Sequence, residues 1–301
     1  MASPQAEALK DVIRQFRSQV LTETPTVEQQ RAAGDAAMEA MSVDASGVSY
    51  APVEVGGVPG QRVTVDGLDA ARTILYLHGG GYVIGSSGSH RKMVGHLCKA
   101  AEADAVVIDY RLAPEHPHPA AVDDAVAAYR ALLDHGHAPS SVIVAGDSAG
   151  GGLTIATLAA IRDRGLPAPA GGLPMSPWVD LEGVGESMTT NAEADLMVGA
   201  DGLKMMADAY LQGQDIRQPS AAPLYADLRG LPPVYIQVGG DETLLDDSTR
   251  LASRAAAAGV AVRLDVFPEM QHVFQLSAGN MPEADEAIAR AGTWIREHTS
   301  T

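Results

Sequence analysis

Five residues, Gly146-Asp147-Ser148-Ala149-Gly150, carry the most reactive arrangement in the chain. They follow the apolar run Ser141-Val-Ile-Val-Ala145 and precede a helix-like stretch from Leu153 to Ala160. Strand, Gly-x-Ser-x-Gly and helix in that order form a sharp turn that lifts one hydroxyl to the top of a sheet. A serine held there attacks a carbonyl carbon once a base, an orienting carboxylate and oxyanion donors stand within reach. In such sites the chain order is serine, acid, histidine. Only His272 and His298 follow Ser148. His298 belongs to a C-terminal helical tail, whereas His272 lies in the loop directly after the last expected strand, so His272 is the expected base.

The acid should also end a strand. Asp241 follows Val234-Tyr-Ile-Gln-Val-Gly-Gly240 and is the favoured candidate, with Glu242, Asp246 and Asp247 as competitors. Asp246 and Asp247 also suit a helix N-terminus, where acidic side chains meet the positive end of the dipole. For the oxyanion, one donor is the amide of Ala149. The others are expected in His78-Gly79-Gly80-Gly81, where glycines let backbone amides approach a ligand closely. No Gly-Lys-Ser/Thr follows these glycines, so a phosphate loop is not indicated.

The elements around these residues read as a layered α/β protein. Strands are expected at Thr73–Leu77, Ala105–Ile108, Val142–Ala145, Gly171–Met175, Val234–Val238 and Val262–Phe267. Helical stretches fall near 89–102, 119–135, 150–164, 246–258 and 282–298. Apolar strands alternating with helices imply a mostly parallel central sheet flanked by helices. Ahead of it, Val48–Val55 and Gln61–Val65 suggest an antiparallel hairpin around residues 56–60.

Residues 1–45 read as two helices. Ser3 and Pro4 open the first, whose apolar residues Ala6, Leu9, Ile13, Phe16 and Val20 recur at helical spacing. Thr26 with Gln29 forms a capping box for the second, which runs to about Met41. The stretch 181–222 breaks the strand–helix rhythm, with Asp201 expected to cap a helix over Gly202–Leu211. Together, 1–45 and about 181–222 are expected to form a small helical cap over a catalytic domain of 46–180 and 223–301. Tyr82, Trp178, Leu203, Met205 and Met206 are candidate pocket residues under it.

Composition narrows the partners. The 301 residues carry a net charge of −17, which argues against nucleic acid and anionic membranes, since both call for clustered positive charge. Cys98 is the only cysteine, so no intramolecular disulfide forms. No signal peptide or 18-residue apolar span is visible, and a cytoplasmic protein is the expectation. The chemistry calls for no metal and no cofactor.

His78-Gly-Gly-Gly81 and Gly146-Asp-Ser-Ala-Gly-Gly151 together resemble the hormone-sensitive-lipase group of bacterial carboxylesterases. Asp109-Tyr-Arg-Leu-Ala-Pro-Glu-His-Pro117, Ser176-Pro-Trp-Val-Asp180, Ala226-Asp-Leu-Arg-Gly-Leu-Pro-Pro233 and Gly240-Asp-Glu-Thr-Leu-Leu245 extend the likeness through residues 70–275. The resemblance implies the α/β-hydrolase fold, with Ser148 as nucleophile, Asp241 as acid and His272 as base. It also implies an oxyanion hole from Ala149 with Gly80 and Gly81, Gly79 shaping the turn. His78, Arg111 and Glu115 would hold loops rather than do chemistry. Two positions depart from the group's pattern: Val273, where a small residue is common, and Glu242, where proline commonly follows the acid. The implied activity is hydrolysis of small, short-chain acyl esters through an acyl-enzyme. Lactone hydrolysis is the alternative, ahead of an amidase or a non-catalytic receptor. Related esterases often pair through the last strand, which would make this chain a homodimer.

Overall fold

The computed structural model describes residues 2–17 and 26–300. Eight strands form one sheet: β1 (Val48–Val55), β2 (Val58–Val65), β3 (Thr73–Leu77), β4 (Asp104–Ile108), β5 (Val142–Asp147), β6 (Gly171–Met175), β7 (Val234–Gly239) and β8 (Val262–Phe267). Their spatial order is β1-β2-β4-β3-β5-β6-β7-β8. β1 and β2 pair antiparallel, as do β2 and β4, and every later pairing is parallel. The hairpin turn is tighter than residues 56–60: Gly56 and Gly57, both at positive φ, connect Val55 to its partner Val58.

The helices are α1 (Pro4–Arg17), α2 (Val27–Met41), α3 (Ser87–Ala101), α4 (Ala120–Asp134), α5 (Ala149–Asp163), α6 (Ser187–Thr190), α7 (Ala200–Leu211), α8 (Leu245–Ala257) and α9 (Pro282–His298). Alternation along the buried strands divides the core in two. Leu75, Leu77, Val142 and Val144 point to one face, with residues of α4, α5 and α8. Ile74, Tyr76, Ile143 and Ala145 point to the other, with residues of α3 and α9. A sheet covered on both faces leaves its carboxyl edge as the open place for a site.

Local signals set the helix ends. The Thr26 hydroxyl accepts from the Gln29 amide, and the Gln29 side chain returns the bond to the Thr26 amide. Ser3 caps α1 by accepting from the Ala6 amide at 3.1 Å. Of the apolar stripe on α1, Val20 lies outside the described residues and only the backbone of Phe16 is described. One cap differs from expectation. α7 starts at Ala200 with Gly199 as its N-cap, and Asp201 lies within the first turn without a side-chain capping bond.

Candidate active site

Ser148 stands where β5 turns into α5. Its backbone is held at φ 53°, ψ −121°, a region unfavourable to a side chain with a Cβ. The strain persists because both sides of the turn are fixed. The Ser148 amide donates to the Met175 carbonyl at 2.9 Å, and its carbonyl accepts from Trp178 and Gly152. The flanking glycines are obligatory on space: a Cβ on Gly146 would strike the Gly150 carbonyl, and one on Gly150 the Leu77 carbonyl. A side chain at Gly146 would force β5 away from α5, and one at Gly150 would force α5 away from β3.

The Ser148 Oγ lies 2.9 Å from the Nε2 of His272. On the far side of that ring, Nδ1 lies 2.8 Å from Oε2 of Glu242. The structure therefore brings Ser148 and His272 together as expected but puts Glu242, not Asp241, behind the imidazole. Asp241 turns away. Its carboxylate pairs with Lys10 of α1 at 3.1 Å and accepts from Gln271 at 3.3 Å. The reason is the turn after β7. The Asp241 amide bonds to the Met270 carbonyl, and the Glu242 amide reaches back to Gly239. This aims the longer side chain under the sheet edge.

Glu242 is fully buried and well supplied with donors. Its Oε1 accepts from the Ser176 hydroxyl at 2.6 Å and from the Gly239 amide at 2.5 Å. Burial pushes its carboxyl up, against the bonds from His272, Ser176 and Gly239. Burial also opposes charge on His272, but the Glu242 carboxylate outweighs that and raises the imidazole above its ordinary value. Ser176 is a site residue that sequence reasoning did not single out. Its hydroxyl donates to Glu242 and accepts from the Val273 amide at 3.2 Å, with its own backbone at φ 46°. The serine opening Ser176-Pro-Trp178 was visible, but nothing in the sequence said what it faced.

The segment after β6 clasps the same turn. Asn191 donates to the Gly240 and Glu242 carbonyls, and buried Asp195 accepts from the amide and hydroxyl of Thr243. Gln271, the neighbour of His272, accepts from the Leu196 amide at 2.7 Å and donates to the Ala194 carbonyl.

Across the serine lie the glycines after β3. Gly80, Gly81, Ser148 and His272 share one cavity of about 270 Å³. The Gly80 and Gly81 amides have no hydrogen-bond partner among the described residues. The Ala149 amide opens α5 and is free of intrahelical bonding by its position. Gly79 differs from its neighbours. Its amide is spent on Asp147 Oδ1 at 3.1 Å, so it cannot donate to an oxyanion. Asp147 also accepts from the Tyr76 hydroxyl at 2.7 Å and faces Nε2 of buried His90 at 3.3 Å. Burial would raise this carboxyl, yet His90 and Tyr76 together bring it below its usual range. Asp147 thus ties the glycine loop to the serine turn.

His78 braces the same loop. Its ring stacks on Tyr110 with centroids 4.3 Å apart, and Nδ1 meets the Gly79 carbonyl at 2.7 Å. Burial, helped by His90, lowers it to about 4 and keeps it neutral. Arg111 pairs with Asp124 and Glu115 with Arg31, both away from the cavity.

Two of the five pocket candidates reach that cavity. Leu203 and Met206 line it. Tyr82 and Trp178 do not: both are buried, and Tyr82 stacks face to face on Tyr210 at 3.8 Å. Met205 faces solvent. Aromatic mass near the turn is core here.

A parallel sheet that raises a strained serine at its carboxyl edge, with a histidine and carboxylate aligned behind it, defines an α/β hydrolase. A family model described as the α/β-hydrolase fold matches residues 74–276. An esterase of the bacterial hormone-sensitive-lipase family superposes with a TM-score of 0.95 at 44% identity, covering all of both chains. A second esterase, crystallised and soaked with p-nitrophenyl butyrate, gives a TM-score of 0.91 at 44% identity over 99% of each chain. The acetyl-hydrolase of Streptomyces hygroscopicus is 42% identical over 99% of this chain and 98% of its own length. The chain belongs to the hormone-sensitive-lipase group of the α/β-hydrolase family.

Proposed function

We propose that the protein hydrolyses carboxylic esters with short acyl groups through an acyl-enzyme on Ser148. The observation that carries this reading is the unbroken line from Glu242 through His272 to the Ser148 hydroxyl. His272 accepts the serine proton as Oγ attacks the ester carbonyl, and the Glu242 carboxylate stabilises the imidazolium that forms. The amides of Gly80, Gly81 and Ala149 receive the oxyanion, and removal of one such donor costs on the order of 3 kcal/mol in the barrier. His272 then protonates the leaving alcohol. Water enters, gives its proton to the same nitrogen, and releases the acid.

Short acyl groups suit the cavity at the serine. At about 270 Å³ it falls below the roughly 300–1,000 Å³ of sites that enclose drug-sized ligands. The names of relatives agree: one is an acetyl-hydrolase, another an esterase soaked with a butyrate ester. We read residues 1–45 and about 181–222 as the cap. Ala37 and Met38 from the first part, with Met197, Leu203 and Met206 from the second, line the cavity. None of the described helices is long and apolar enough to cross a membrane. β8 ends the strand order with one edge unpaired, which supports a homodimer formed there.

Rapid-mixing hydrolysis of p-nitrophenyl acetate tests the mechanism. A burst of p-nitrophenol equal to the enzyme concentration, with acetyl recovered on the peptide that holds Ser148, is expected. Hydrolysis with acetyl recovered on another residue would refute it.

A further inference from the structure

Asp195 lies in the stretch between α6 and α7 and is fully buried. A carboxylate in such a place is costly unless donors surround it. Here each oxygen has two. Oδ1 accepts from the amides of Met197 and Val198, both at 2.9 Å. Oδ2 accepts from the amide of Thr243 at 2.8 Å and from its hydroxyl at 3.0 Å. A proton on either oxygen would face a donor, so the ionised form is the one these bonds satisfy.

Oδ1 alone would make an ordinary local turn, of the kind an aspartate forms with amides just ahead of it. Oδ2 does more, because it reaches 48 residues along the chain to the turn that holds Glu242. The residues on either side of Asp195 reach the base. Gln271, next to His272, accepts from the Leu196 amide at 2.7 Å and donates to the Ala194 carbonyl at 2.9 Å. Further on, Met197, Val198 and Gly199 line the cavity at the serine, and Gly199 opens α7. One short stretch therefore touches the cavity wall, the acid turn and the base loop, and Asp195 is the joint between the first two.

The charge of Asp195 also bears on the base. Burial opposes charge on the His272 imidazole. The bond and charge of Glu242 raise it most, and the carboxylates of Asp195 and Asp147 raise it further. Asp241, also beside Gln271, is paired with Lys10 at 3.1 Å.

We propose that Asp195 is a positioning residue for the ester hydrolysis inferred above, on which this role rests: it ties the cavity wall at Met197 and Val198 to the acid turn at Thr243, so that a bound ester and the line from Glu242 through His272 to Ser148 keep one register. Asp195 does not itself line the cavity and acts through these two backbone segments.

Two variants separate its two sides, with p-nitrophenyl acetate as the probe. Thr243→Val loses the hydroxyl bond, keeps the amide bond and leaves the wall untouched. It is expected to lower kcat about tenfold, the lower bound for one bond to a charged group, with KM held within about twofold. Thr243→Ser is expected to restore kcat. Asp195→Asn removes the charge and sets an amide nitrogen against donors. It is expected to lower kcat and raise KM, each about tenfold, and to move the acid limb of kcat/KM to lower pH. A role confined to stability would lower the denaturant midpoint and leave KM and the acid limb in place, which would overturn the proposal. So would a kcat for Thr243→Val within about twofold of the parent, a result that counts even where Asp195→Asn does not fold. Failure of the unchanged protein to hydrolyse the ester would instead remove the reading on which it rests.

Discussion

Glu242 and Asp241 are adjacent in sequence, yet only Glu242 meets His272: its carboxylate lies 2.8 Å from Nδ1, while Asp241 is held by Lys10. The two neighbouring carboxylates therefore sit in different surroundings, set by what captures each one. Glu242→Gln is expected to lower kcat by about 10⁴-fold, the effect of losing the carboxylate that fixes the tautomer in a serine triad. Asp241→Asn keeps the imidazole's partner and is expected to stay within about tenfold, since it loses an ion pair that is partly exposed on the aspartate side. Steady-state kinetics on one short ester distinguishes them, and the reverse order would reassign the acid.

The pH profile follows from the same pair. His272 must be neutral to accept the serine proton, and Glu242 raises its pKa above the ordinary 6.5 despite burial. kcat/KM should therefore rise with pH and level off only above that raised value. Glu242→Gln removes the raising charge, so the acid limb of its residual activity should move to lower pH. A limb that stays in place would mean that His272 is not the group being titrated.

Ser176 provides a further test of the acid's support. Its hydroxyl gives the 2.6 Å bond to Glu242, and hydrogen bonds to charged groups contribute about 1.5–3 kcal/mol. Ser176→Ala should lower kcat by roughly ten- to a hundredfold with little change in KM, because the residue touches the acid and not the substrate. An effect on KM alone would contradict that role.

Beneath the serine turn, His90 and Asp147 form a buried pair at 3.3 Å. Removing one partner of such a pair costs about 3–5 kcal/mol, so Asp147→Asn should lower the denaturant midpoint markedly and loosen the Gly79 loop. The pH signs are opposite for the two groups. Asp147 is depressed, so its contribution is present above its unfolded value and fades as pH falls through the folded one. Burial works against the charge on His90, but Asp147 raises it, so its contribution is present below about 6.5 and fades as pH rises through its folded value. Unfolding curves of the parent and Asp147→Asn should therefore differ most at mildly acidic pH and converge towards both extremes.

Much of this was legible in the chain itself. The strands β3, β6 and β8 have the bounds their apolar runs suggest, and the Thr26–Gln29 box marks the start of α2. Ser148 and His272 could be found because one lies in a constrained turn and the other is the only loop histidine downstream. Other features depend on contacts that no local pattern records. The choice between Asp241 and Glu242 is made by Lys10, Asn191 and Asp195, which arrive from distant segments. Three consecutive glycines look alike until Asp147 takes the Gly79 amide. Tyr82 and Trp178 have the composition of pocket walls, but the stacking of Tyr82 on Tyr210 and the burial of both rings make them core. The departure from the group's pattern at Glu242 was the one hint in the sequence that this turn differed.

The proposed acyl transfer depends on Ser148, through its hydroxyl beside His272. Hydrolysis of p-nitrophenyl acetate by Ser148→Ala, with its fold checked by an unchanged unfolding curve, is expected to fall by several orders of magnitude, about 10⁶-fold where the nucleophile of a serine triad is removed. Turnover within tenfold of the parent would contradict it.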